Sequence, residues 1–143
     1  MNGADLLAKV LREHGVTFVS TLCGNGLNPF YVACHKAGLR LVDTRNEQAA
    51  AYIADAYARL TGKIGVCAVS SGIAHVNALT GITNAYFDGA PVLLLTGESA
   101  TPPNGQGKFQ ELDQPALAAP VCKASERVTR VEDLAFRLQQ ALS

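Results

Sequence analysis

The 143 residues are 48% hydrophobic and 17% charged with no formal net charge at pH 7, which suits one compact domain with a buried core and excludes the basic footprint of a nucleic-acid or anionic-membrane binder. No apolar stretch nears the ~20 residues that cross a bilayer, and the opening Met1-Asn2-Gly3-Ala4-Asp5 lacks the basic start and apolar run of a secretory signal. Cys23, Cys34, Cys67 and Cys122 are irregularly spaced and share no ligand spacing with His14, His35 or His75, so the expectation is a cytoplasmic protein with reduced cysteines, most of them small core residues, and no metal site.

Residues 3–14 place Leu6, Leu7, Val10 and Leu11 on one helical face, and Gly15 is a natural stop. A β-branched apolar strand is predicted over 16–22. The glycine-rich turn 23–29 follows, with Pro29 opening the next helix at its first position. A second strand falls at 39–42. Asn46 can cap a helix from Glu47 to about residue 60, with Gly62 beyond it. A third strand spans 64–70, a long helix 72–87 and a fourth strand 91–96. After a long polar loop, 121–124 reads as a fifth strand, and 131–142 as a final amphipathic helix.

Strands and helices alternate throughout, and the strands are continuous apolar runs, as a parallel sheet covered on both faces requires. The predicted class is α/β, a doubly wound, mostly parallel sheet flanked by helices on both faces, in a single domain over 1–143. In such sheets ligands sit outside the carboxyl ends of the strands. That rule selects segments 23–29, 44–47, 70–75 and 97–113.

Gly24-Asn25-Gly26 follows a strand, but position 29 is proline, so the third glycine of a dinucleotide fingerprint is missing. A phosphate loop would need GK[ST], and a phospho-acceptor domain would need acidic residues where Thr21-Leu22-Cys23 ends the first strand. Glu47 begins a helix. By position alone a carboxylate there complements the helix dipole for a few tenths of a kcal/mol. It is, however, followed by Ala49, Ala50, Ala51, Ala54, Ala56 and Ala58, a small-residue surface that lets something flat approach.

The run RNEQAAAYIADAYARLTGKIGVCAVSSGIAHVNALTGITNAYFDGAPVLLLTG, from Arg45 to Gly97, with the later Lys108-Phe109-Gln110-Glu111-Leu112-Asp113, closely resembles the N-terminal, pyrimidine-binding domain of thiamine-diphosphate-dependent enzymes. The superfamily is that of acetolactate synthase, benzoylformate decarboxylase and 2-hydroxyacyl-CoA lyase. The resemblance covers essentially the whole chain. It implies that Glu47 is the glutamate that shares a proton with N1′ of the cofactor's pyrimidine, a role that needs a water-poor pocket raising its pKa. It implies that Ser71, Gly72 and Ile73 lie against the aminopyrimidine, where close approach favours glycine. Asn77 either contacts the ring or caps and orients its helix. Phe109 and Gln110 match residues on the substrate side, or pack their loop. Gly24, Asn25 and Gly26 match a loop that often touches substrate. The resemblance assigns no role to His75, which reads as a surface or interface histidine.

Two departures qualify the transfer. Gly72-Ile73-Ala74 replaces the frequent Gly-Pro-Gly, and Gly24-Asn25-Gly26-Leu27 replaces G-x-P-G, so substrate identity is not carried over. Relatives are three to four times longer, with a central domain, where acetolactate synthases hold FAD, and a diphosphate domain that holds Mg²⁺ through a G-D-G signature absent here. They also continue beyond the last helix into a further strand, so this sheet is expected to lack its last strand and to carry an unfilled edge. The resemblance therefore implies the pyrimidine half of a lyase, decarboxylase or carboligase acting on 2-oxo or 2-hydroxyacyl substrates, inactive alone. It would be homo-oligomeric and partnered by a diphosphate-binding domain or subunit. The α subunit of a two-chain 2-oxoacid decarboxylase and a non-catalytic assembly module are the alternatives. Helix faces near 48–58 and 74–87 are the expected contact surfaces.

Overall fold

The structure, a computed structural model, describes residues 2–98 and 108–143. Helix α1 (Gly3–Glu13) opens on a capping box: Asn2 Oδ1 accepts the Asp5 N–H at 2.9 Å, and Asp5 Oδ2 accepts the Asn2 N–H at 3.0 Å. The reversal after it uses Gly15 at φ +78°. Strand β1 (Phe18–Leu22) leads through a 3-10 turn at Asn25–Leu27 into α2 (Asn28–Lys36), where Pro29 is the second residue rather than the first. Then come β2 (Arg40–Asp43), α3 (Glu47–Thr61), β3 (Gly65–Val69), α4 (Ile73–Phe87), β4 (Val92–Thr96), the short α5 (Gln114–Ala118) and α6 (Val131–Leu142).

The four strands form one parallel sheet in the order β2-β1-β3-β4. The registers pair Thr21 with Asp43, Leu22 with Val69 and Val69 with Thr96. The carboxyl ends of all four strands therefore finish level, and the four loops leaving them share one edge. This is the predicted class, with helices on both faces.

Strand β3 alternates between two cores. Val66 and Ala68 join α1, α2 and Leu138 of α6, while Cys67 and Val69 join α3 and α4. The alanines of α3 serve this packing. Ala50, Ala51, Ala54 and Ala58 are buried, and what approaches them closely is the protein itself. A Cβ at Gly81 of α4 would lie 2.6 Å from Ala51 Cβ, and one at Gly65 of β3 would overlap the Ala54 carbonyl. Only Ala49 and Ala56 of the expected small-residue surface remain exposed.

The predicted fifth strand at 121–124 does not form. Ala119–Val121 is a 3-10 turn, and Cys122 is extended at φ −134°, ψ 147° but pairs with no strand. A groove of about 1230 Å³ is lined both by β4 and by residues 121–128, with Ile82 of α4 and Leu138 of α6 among its walls. An extended segment becomes a strand only when a ladder satisfies its amides. Strand β4, apolar up to Thr96 yet only half-buried, is thus an open edge beside that groove among the described residues.

Candidate functional site

The predicted segments do meet at the carboxyl edge, except for residues 99–107, which lie outside the described residues. Leaving β2, Thr44 ties the turn down: its Oγ1 lies 3.0 Å from the Thr21 carbonyl and 2.8 Å from that of Asn46. Asn46 then caps α3, its Oδ1 accepting the Gln48 N–H at 2.7 Å. Glu47 is consequently the first residue of α3 and is half-buried.

Its partner comes from α4. Asn77 donates its Nδ2–H to Glu47 Oε2 at 3.0 Å, leaving Oε1 with no hydrogen bond among the described residues. One residue on, Gln48 Nε2 donates to Thr80 Oγ1 at 3.1 Å. Farther along the pair, Asn84 Nδ2 reaches Asp55 Oδ2 at 2.8 Å and Arg59 reaches Asp88 at 2.9 Å. The α3–α4 pair is polar-stitched from end to end, so the Glu47–Asn77 distance is held by the packing of two whole helices. The Asn77 side chain thus reaches a residue of the neighbouring helix, a third arrangement beside the ring contact and the helix cap that the sequence left open.

A second cluster lies at the N-terminus of α4. The Gly26 N–H donates to Ser70 Oγ at 3.1 Å, and a Cβ at Gly24 would lie 2.6 Å from Ser70 Cβ. A Cβ at Gly97 would lie 2.6 Å from the Gly26 carbonyl oxygen. Gly72 adopts φ +61°, ψ −113°, and a Cβ there would lie 2.5 Å from Gln110 Cβ. Gln110 is itself left-handed at φ +57°, costly for a residue with a side chain. Ser71 Oγ lies 3.4 Å from Gln110 Oε1. Gly24, Gly26, Ser71, Gly72 and Gln110 are thus brought together, with Asn25 in the exposed turn between the two glycines. Ile73 and Phe109 are the outliers. Both are exposed to solvent, Phe109 at 86%.

The thiols near this edge are not activated. Cys67, behind Glu47, is pushed up to about 12 chiefly by burial, and Cys23 is raised by burial and then by the Asp43 carboxylate. Raised thiols are poor nucleophiles at neutral pH. All four cysteines are free, with Cys34 and Cys67 in the core.

Two residues escape the sequence reading. His75 is buried, at 3% exposure, instead of lying on the surface, because it heads the inward stripe of α4 that continues through Ala78, Ile82 and Ala85. Gln114 is buried as well, and its side chain accepts from Gly72 and donates to Thr96 and Gly97. The signal for the histidine was present as i, i+3, i+7 spacing. For Gln114 there was only the Asp113-Gln114-Pro115 helix start.

Residues 1–117 match the family described as thiamine pyrophosphate enzyme, N-terminal TPP binding domain. The chain is 45% identical over 142 residues to 2-hydroxyacyl-CoA lyase 2 of Mus musculus and 43% identical over 142 residues to that of Danio rerio, covering 99% of this chain in each case and 22% and 23% of those proteins. It is 37% identical over 142 residues to the acetolactate synthase large subunit of Haemophilus influenzae, covering 99% of this chain and 25% of that protein. The chain therefore spans about a quarter of the length of these relatives. With the parallel sheet, the level carboxyl edge and a match running over most of its length, the chain belongs to the thiamine pyrophosphate enzyme family and is its N-terminal TPP binding domain.

Proposed function

We propose that this chain forms the pyrimidine half of a thiamine-diphosphate site in a lyase, decarboxylase or carboligase acting on 2-oxo or 2-hydroxyacyl substrates, and that Glu47 activates the cofactor through N1′. The observation that carries the reading is the Glu47–Asn77 pair: one carboxylate oxygen takes the Asn77 amide at 3.0 Å and the other has no partner among the described residues. That is what a proton-sharing carboxylate needs, one oxygen anchored and one available. The 71–73 turn would lie against the ring, and Gln110 and the 24–26 turn would face the substrate.

When bound, thiamine diphosphate supplies a carbon that adds to the substrate carbonyl and stores the electron pair released by C–C cleavage. Glu47 would hold and exchange a proton at N1′ of the bound pyrimidine. Asn77 keeps the carboxyl oriented. Glu47 is only half-buried here, short of the water-poor pocket that the role calls for, and a second protein surface would close it. Tyr52, Ile73 and Val76, exposed apolar residues in the same turns of α3 and α4, support a subunit contact at this face. No cluster of three His, Cys, Asp or Glu side chains exists among the described residues, and we assign the diphosphate and its magnesium ion to a partner domain, without which this chain turns over no substrate.

The test is turnover by the chain joined to a diphosphate-binding domain. Glu47→Gln keeps the shape and removes the shared proton, so kcat should fall by about 10²–10⁴. Turnover equal to the unsubstituted protein would overturn the assignment.

A further inference from the structure

Gln114 is the first residue of α5, a helix of only five residues, and its backbone is fixed from both sides. Asp113 caps the helix by accepting the Ala116 N–H at 3.3 Å, and the Gln114 N–H donates to the Leu112 carbonyl at 3.0 Å. Arg127 braces the same corner through Glu98 at 2.6 Å and Asp113 at 3.8 Å. From this anchored position the side chain runs inward and is 4% exposed. Its Oε1 accepts the Gly72 N–H at 2.7 Å, while Nε2 donates to Thr96 Oγ1 at 3.0 Å and to the Gly97 carbonyl at 2.9 Å. Both amide hydrogens and one oxygen lone pair are used. Only glutamine has this donor and acceptor set at this length: glutamate cannot donate, and methionine can do neither.

The bonded groups are the ones that need holding. Helix α4 has no capping side chain of its own, and Gly72 sits in a conformation closed to most side chains, directly against left-handed Gln110. Two unfavourable backbones facing each other persist only when their surroundings over-determine them. The carboxyl end of β4 has strand partners on one side only. Gln114 joins these two places through one buried side chain, so the turn at 70–73, the end of β4 and the start of α5 cannot shift independently.

We propose that Gln114 is a positioning residue: it clamps the cofactor-facing turn at Ser71–Gly72 to the end of β4 and so sets that turn's register against the substrate-side loop carrying Gln110. The cofactor side rests on the function proposed above; the clamp does not. Amide hydrogen exchange in the 143-residue chain reads the clamp directly. In Gln114→Met, which keeps length and volume, the Gly72 amide should exchange about tenfold faster relative to Val66 and Cys67 of β3, the factor carried by one net hydrogen bond. In Gln114→Glu an acceptor for Gly72 remains, so Gly72 should stay protected while the Gly97 carbonyl loses its donor, read as a shift of its carbonyl-carbon resonance. Wild-type exchange at Gly72 in Gln114→Met overturns the clamp.

In the enzyme assembled with its diphosphate-binding domain, Gln114→Met should weaken thiamine-diphosphate affinity about tenfold. Faster Gly72 exchange with unaltered cofactor affinity overturns the link to the cofactor. An unsubstituted assembly that binds no thiamine diphosphate sinks the proposed function and that link together, and the exchange data still decide the clamp.

Discussion

His75 heads a stripe of α4 that points into the protein, and among the described residues its ring nitrogens have no hydrogen bond of good geometry, only a weak contact to the Gln114 backbone. Burial lowers its pKa below the ordinary 6.5. Between the lowered value and 6.5 the unfolded chain therefore binds a proton that the folded chain does not. The stability associated with a neutral His75 is complete above 6.5 and is lost as pH falls through the folded value. His75→Leu should raise stability at neutral pH by about 1–2 kcal/mol, since an unpaired buried donor costs about that much. It should also flatten the loss of stability as pH falls below 6.5. Urea midpoints across that range check both, and an unaltered slope would place the acid sensitivity elsewhere. The contrast with Glu47 is instructive. Its residue type and helix-start position were visible in the chain, but the partner that distinguishes it from an ordinary helix-start carboxylate is Asn77, thirty residues away. Gln114 was invisible for the same reason: its three bonds reach elements far off in sequence, and nothing local announces them.

At the scale of elements, boundaries were legible wherever a local rule sets them. Asn46 caps α3 and Gly62, at φ +68°, ends it. The predicted strands at 16–22, 39–42, 64–70 and 91–96 each form, with ends trimmed or shifted by a residue or two. The failure at 121–124 has the opposite origin, because a strand is defined by a neighbour and this segment pairs with none. The purpose of the alanine-rich face was likewise undecidable from spacing. It packs α3 onto α4 and β3, and this contact holds Glu47 against Asn77. Gly81→Ala tests that packing. Helix propensity alone would favour alanine by about 1 kcal/mol, but its Cβ would lie 2.6 Å from Ala51 Cβ and 3.0 Å from the Ala51 carbonyl carbon. Overpacking of backbone against backbone should win, for a net loss of about 1–3 kcal/mol, read from chemical denaturation. A gain in stability would mean that the two helices separate easily, and that Glu47 is held less firmly than the structure indicates.

Across the whole molecule the asymmetry of the sheet matters most. Strand β3 has a strand on each side, whereas β4 has one on a single side and the groove on the other. Amides of Val92–Thr96 that do not pair with β3 should exchange faster than those of Gly65–Val69, by at least about tenfold for each missing ladder bond. Equal protection on both strands, measured residue by residue, would show the edge to be covered. A long apolar edge of this kind invites strand addition or association, so concentration should be held fixed across the comparison. The alternation of elements, the parallel class, the caps and the motifs of the family were determined by the sequence alone, because periodicity, capping and turn chemistry act over a few residues. Only the tertiary structure decided that Asn77 holds Glu47, that His75 is buried, that Gln114 joins two loops, and that 121–124 stays unpaired. Each of those depends on which distant groups share a few ångströms of space, a matter settled by packing.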